Sequence, residues 1–227
     1  MEIKEQSIHK QRALLAAQVV KNLQRRRYEA YFCATKEEAL EKALSLIPEG
    51  SSVAWGGSLS VVDIGLVDGI KKTPGLKIID RDQSRTWDER MEKMRQSLLC
   101  DVYFSSTNAL SEDGILVNVD WHGNRVAAQI FGPRSVVMIV GMNKVCKTRE
   151  EAWSRARNYA APINIFRILG DAQISGGAAK KNTPCAKTGT CSNCISEDCI
   201  CSYIVETRVC RFPGRIKIIL VGEELGF

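Results

Sequence analysis

Strand-like and helix-like segments take turns along most of this chain, and that alternation leaves few folds open to it. Tyr28–Ala34 is β-prone and is followed by a helix opened by Thr35, with Glu38 three residues on as a capping box. Ser52–Trp55 is a short apolar run ending in Gly56-Gly57, and a helix is expected over Ser58–Lys72 until Pro74-Gly75 breaks it. Leu76–Asp80 and Val102–Ser105 read as strands on either side of a helix at Thr86–Cys100. Ser135–Val140 (SVVMIV) is a continuous apolar run of the kind buried on both faces of a parallel sheet. Arg149–Ala160 reads as a helix, Pro162 suits the first position of another, and Arg215–Val221 is strongly β. A long amphipathic helix over Lys4–Arg27 precedes them all, with Ile8, Leu14, Leu15, Val19 and Leu23 near helical spacing. In the middle, Ile115–Asp120 and Arg125–Phe131 flank the turn residues His122-Gly123-Asn124 in the pattern of a β-hairpin. This order predicts an α/β fold with a mainly parallel sheet and helices on both faces. From Gly170 to about Pro184 the chain is loop-like, and a cysteine-rich tract follows. Because the last strand returns after that tract, 1–227 reads as a single domain with an excursion at 183–212.

A chain of 227 residues, 44% hydrophobic and 26% charged, has enough apolar residues for one sizeable core. No run approaches the roughly 18 uncharged apolar residues of a membrane span. The N-terminal segment is too polar for a secretory signal and too mixed in charge for a transit peptide, so the cytoplasm is the expected compartment. The formal charge is +6, but its lysines and arginines are scattered. Arg25-Arg26-Arg27 closes a predicted helix, where cations complement the dipole, so it reads as a solvated helix end and not as a nucleic-acid patch. Two histidines leave little for a histidine-based metal site or triad, and His122 reads as a solvent-facing turn residue.

Three segments carry candidate chemistry in the α/β frame. In Trp55-Gly56-Gly57-Ser58-Leu59-Ser60 the glycines let backbone approach a ligand, and Ser58 and Ser60 add hydroxyls, which suits a small anion. The plain alternative is a strand-to-helix turn with Ser58 as N-cap. In Asn108–Arg125, polar groups gather at strand ends and turns, where open α/β sheets bind ligands. Asn108, Asn118, Asp120 and Asn124 are candidate ligand contacts there. Glu112 is a candidate nucleophile or base, and Arg125 a clamp for an anionic substrate. Asp113-Gly114 and Gly123-Asn124 are better explained by turn geometry. Lys144, just past the buried strand, stands where it would meet an anion or a carbonyl, and is the second candidate catalytic residue.

Of nine cysteines, Cys33, Cys100 and Cys146 lie in or beside apolar stretches and read as buried hydrophobes. The other six, Cys185, Cys191, Cys194, Cys199, Cys201 and Cys210, fall in one tract, which points to metal or redox chemistry in a chain without an export signal. Cys191 and Cys194 can chelate one ion, and two more thiolates, Cys185 and Cys201, would complete a zinc or iron–sulfur site. Cys199 remains an alternative to Cys201.

Taken together, VAWGGSLSVVDIGL (Val53–Leu66), the Asn108–Pro133 stretch, VGMNKV (Val140–Val145), TPCAKTGTCSNC (Thr183–Cys194) and PGRIKIILVGEELGF (Pro213–Phe227) resemble the LUD-domain family. Cys201 matches a cysteine of one subset of that family, while Cys199 stands where the subset has arginine. The resemblance implies a three-layer α/β/α fold related to the ribose-5-phosphate isomerase and CoA-transferase group. It also implies a part in oxidation of L-lactate to pyruvate beside iron–sulfur partner subunits. Two functions are therefore expected: a component of organic-acid oxidation that binds an organic-acid or phosphate-bearing ligand, or a non-catalytic metal-binding accessory protein or redox regulator. An isomerase or CoA-transferase-like enzyme is a third.

Overall fold

The computed structural model describes residues 2–170 and 182–227, so most of the loop expected between Gly170 and Pro184 lies outside the described residues. Six strands form a wholly parallel sheet: β1 (Glu29–Cys33), β2 (Ser52–Trp55), β3 (Lys77–Ile79), β4 (Val102–Ser105), β7 (Ser135–Gly141) and β10 (Ile216–Val221), in the order β1-β10-β7-β4-β2-β3. Strand β7 is central, and Val136 to Val140 are all fully buried, as its unbroken apolar run requires. Alternate residues serve opposite faces. Val136, Met138 and Val140 pack in a cluster with Ala16, Val19 and Leu23 of the first helix, α1 (Glu2–Arg25). Val137 and Ile139 pack in another with Ala39 and Ala43 of α2 (Lys36–Ser45), Val61 of α3 (Leu59–Asp63), and Leu66 and Ile70 of α4 (Leu66–Lys72). The result is a three-layer α/β/α arrangement.

Local signals account for most element ends. Thr35 Oγ1 accepts the Glu38 amide at 3.3 Å, and Glu38 in turn accepts the Ala34 amide, so α2 opens as its capping residues dictate. The helix expected over Ser58–Lys72 is broken into α3 and α4 by Gly65, which adopts a left-handed conformation (φ 72°). Helix α5 (Trp87–Gln96) is capped by Thr86. Beyond the main sheet, α7 (Arg149–Ser154) runs through a π-helical stretch at Arg155–Ala160 into α8 (Ala161–Leu169), which carries Pro162 in its first turn.

The hairpin expected across His122-Gly123-Asn124 does not form, because Arg125–Phe131 is not a strand. Residues Asn124–Ile130 are a helix, α6. Gly123 sits at its start with φ 82°, and Asp120 Oδ2 accepts the Val126 amide at 3.0 Å, capping the first turn. A seven-residue apolar stretch is too short for periodicity to separate helix from strand, and Val126 and Ala128 point inward equally well in a helix. Strand β6 (Leu116–Asp120) instead pairs antiparallel with β5 (Ala109–Ser111) through the Glu112-Asp113-Gly114 turn, and on its other side with β9 (Tyr203–Thr207). With β8 (Val145–Cys146) they form a separate four-stranded sheet that the alternation did not predict.

Gly123→Ala should cost about 1–2 kcal/mol, the usual penalty for a left-handed alanine, while leaving the native fold. Urea unfolding would show this as a lower midpoint with an unchanged slope; no loss would mean that α6 does not depend on this turn.

Candidate functional site

The loops that leave the carboxyl ends of the neighbouring strands β7, β4, β2 and β3 open into one cleft, of about 570 Å³. Gly56–Ser58 follow β2, Arg81 and Asp82 follow β3, Ser106–Asn108 follow β4, and Lys144 follows β7. Ligand sites in open α/β sheets occur at this end. The glycine loop and Lys144 thus face one space, as expected.

Lys144 is 5% exposed. Its Nζ meets the hydroxyls of Ser60 at 2.7 Å and Ser106 at 3.2 Å, and among the described residues no carboxylate stands within ion-pair distance of it. Burial, and then the guanidinium groups of Arg155 and Arg125, push its ammonium down to about 7, against a weak opposing pull from Asp63. Ser60 is fully buried behind the amine. Ser58 Oγ is buried without a hydrogen-bond partner among the described residues, so this side chain does not cap α3 as the plain turn reading requires.

Arg125 is differently employed than its residue type suggests. Its Nη1 donates to Ser106 O (2.9 Å) and Asn118 Oδ1 (2.6 Å), and its Nη2 to Asn108 Oδ1 (2.9 Å) and Val119 O (2.7 Å). Its Nε faces Asp120 Oδ2 at 3.9 Å. Every Nη hydrogen is spent on the protein, so Arg125 is a strut and not a free clamp. Asn108 Oδ1 also accepts the Val119 amide, and Asp120 is occupied capping α6. Asn118 is fully buried behind Arg125, whereas Asn124 reaches the cleft. Glu112 does not reach it. It sits in the β5–β6 turn, where its carboxylate pairs with Lys147 at 2.6 Å.

A different arginine lines the cleft beside the glycine loop. Arg81, 8% exposed, lies against the glycine loop so closely that a Cβ on Gly57 would stand 2.8 Å from its Nη2. Among the described residues it has no hydrogen-bond acceptor, and its ion-pair contact is Asp82 Oδ1, 3.8 Å from Nε. Asp82 is better satisfied elsewhere, by Trp55 Nε1 and Arg90 Nη2, both at 3.0 Å. Burial pushes its carboxyl up, but Arg81, Trp55 and Arg90 outweigh that and hold it below the usual range. The cleft wall adds His122, packed at 4.1 Å from Trp121 and 5.4 Å from Trp87. Arg81 was missed because it follows a three-residue strand in a polar stretch, where nothing marks an arginine as buried.

The cysteine tract splits. Cys210 is buried in the main core, whereas Cys185, Cys191, Cys194, Cys199 and Cys201 line one small cavity beside α8. Burial, and then Cys199, Cys191 and Cys185 as neighbours, push the Cys201 thiol up to about 12. Among the described residues no group of three or more histidine, cysteine or carboxylate side chains is placed so as to hold a metal ion. No helix among them is long and apolar enough to cross a membrane.

Two variants follow from this geometry. Arg125→Ala takes a donor from Asn118 Oδ1 and Val119 O, each costing about 1–3 kcal/mol, while Ser106 O and Asn108 Oδ1 keep other donors; it should lower the urea midpoint, and a neutral result would remove its structural role. For Lys144, the folded pKa lies below the unfolded one, so between about 7 and the usual lysine value the unfolded chain binds the extra proton. Stability therefore rises with pH across that window, and the full cost of the buried charge is present below it. Lys144→Met should be most stabilising near pH 6, and its advantage in Tm should shrink toward pH 10. A pH-independent difference would contradict a depressed Lys144.

Comparison with curated proteins gives no match. Among solved structures, the crystal structure of a DUF162 family protein from Deinococcus radiodurans aligns over 92% of this chain and 98% of its own, with a TM-score of 0.52 and 10% identity, a likeness of fold alone. Residues 16–221 match the LUD domain. That match spans most of the chain and both sheets, and on it the chain belongs to the LUD-domain family.

Proposed function

We propose that the cleft binds an anionic organic molecule, a carboxylate or phosphate ester, and that the chain serves in organic-acid oxidation of the kind the family name associates with lactate. The observation that carries this reading is Arg81: its Nε is buried with no hydrogen-bond acceptor among the described residues, its contact with Asp82 is long at 3.8 Å, and an incoming oxyanion would supply an acceptor. Gly57 gives the anion access to Arg81 because it has no side chain, and the unpaired Ser58 hydroxyl stands ready as a further donor. Lys144 provides an amine close to neutrality in the same space, so proton transfer at an adjacent carbon or oxygen is within its chemistry. Iron–sulfur partner subunits would accept the electrons, since none of these side chains can. Isothermal calorimetry with L-lactate, pyruvate and inorganic phosphate tests this. At least one should bind, and Arg81→Met and Gly57→Val should each weaken it by roughly tenfold or more, as expected for a lost charged hydrogen bond. Binding that both variants leave unchanged would overturn the assignment.

A second reading rests on the five thiols around one cavity. That donor set suits zinc or an iron–sulfur cluster, with Cys185, Cys191 and Cys194 joined by Cys201 or Cys199. Binding would have to draw the thiols together from their described separations. Protein purified without oxygen should then carry about one equivalent of zinc, or iron with sulfide and a broad visible absorption. Metal-free protein whose tract resists protease equally with and without chelator would contradict it.

A further inference from the structure

We propose that Lys144 forms an imine with the carbonyl carbon of a 2-oxo acid whose carboxylate is held by Arg81. This rests on the anion reading above and deepens it by naming the substrate class.

The amine faces the cleft, and its hydrogen-bond partners are two hydroxyls, Ser60 and Ser106. A carboxylate partner would keep the ammonium charged; hydroxyls can accept from the charged form or donate to the lone pair of the neutral one. The nearby cations do not pair with it either. Arg125 is spent on four protein acceptors, and Arg155 donates to Asn143 O, Asn108 O and Phe227 O. Both therefore act on Lys144 through their charge, favouring the free amine. Gly226 closes over the pair, since a Cβ there would stand 3.1 Å from Ser60 Oγ and 3.3 Å from Lys144 Nζ. The amine is thereby held in place and shielded on that side.

The chemistry balances without an outside oxidant or reductant. The nitrogen lone pair attacks the carbonyl carbon, a C–N bond forms, and the oxygen takes up a proton to give a carbinolamine. That oxygen then leaves as water while the nitrogen sheds its remaining hydrogens, and C=N replaces C=O. Ser106, which lines the cleft and touches the amine, is placed to pass the proton to the departing oxygen. A 2-oxo acid suits the site better than a simple aldehyde, because Arg81 and Lys144 line the same cleft and its carboxylate would give Arg81 a closer acceptor than Asp82 while its carbonyl meets Lys144.

Sodium cyanoborohydride reduces an imine to a stable secondary amine, so the protein would be treated with it together with pyruvate or, separately, acetaldehyde. The modified peptide would then be mapped by mass spectrometry, with pyruvate binding followed in parallel by calorimetry. Both carbonyls should mark Lys144, Lys144→Arg should abolish the mark, and Arg81→Met should lower the pyruvate adduct roughly tenfold relative to the acetaldehyde one, the effect of one charged contact. Pyruvate that binds while neither carbonyl marks Lys144 overturns the imine and leaves the anion site standing. Acetaldehyde marking Lys144 while pyruvate neither binds nor marks overturns the anion reading and the 2-oxo acid with it.

Discussion

The guanidinium of Arg125 sits where the parallel sheet hands over to the smaller mixed one. Its four hydrogen bonds reach Ser106 and Asn108, in the segment that leaves β4 and becomes β5, and Asn118 and Val119 on β6. Without them Asn118 Oδ1 and Val119 O would lose a donor, at about 1–3 kcal/mol each, while Ser106 O keeps Gln129 Nε2 and Asn108 Oδ1 keeps the Val119 amide. The same bonds fix Ser106, and Ser106 with Ser60 fixes Lys144. The reactive amine is thus placed by the joint between the sheets, and its position is inherited from the fold.

Charge is distributed over the cleft in two states. Arg125 and Arg90 are satisfied by protein acceptors and serve as architecture. Arg81 and Lys144 are buried without a carboxylate at hydrogen-bond distance among the described residues: Arg81 faces Asp82 Oδ1 at 3.8 Å, and Lys144 meets two hydroxyls. A Cβ on Gly57 would stand 2.8 Å from Arg81 Nη2, so a side chain there would have to displace the end of Arg81.

The sequence disclosed this arrangement unevenly, for physical reasons. The parallel sheet was legible because β7 is apolar throughout and Thr35, Thr86 and Pro162 mark helix starts. Gly56–Ser58 and Lys144 were legible because each follows such a strand, where α/β folds place ligands. The function of Arg125 was not, since residue type shows a donor but not which acceptors the fold brings to it. Glu112 looked reactive by type, yet the β5–β6 turn carries it to Lys147. The smaller sheet was hidden because β9 lies within the cysteine-rich excursion and pairs with β6 across more than 80 residues of sequence. Arg81 carried no signal at all, because its burial comes from packing against Gly57 and Asp82.

Beyond its long contact with Asp82, Arg81 has no hydrogen-bond acceptor among the described residues, and the proposed anion supplies one. A crystal structure of the protein soaked with pyruvate tests it most directly. The account predicts electron density for a carboxylate bridging the Arg81 guanidinium and Ser58 Oγ, above Gly57, with the carbonyl carbon turned toward Lys144. Density elsewhere, with Arg81 swung onto Asp82 in a two-pronged ion pair, would contradict it.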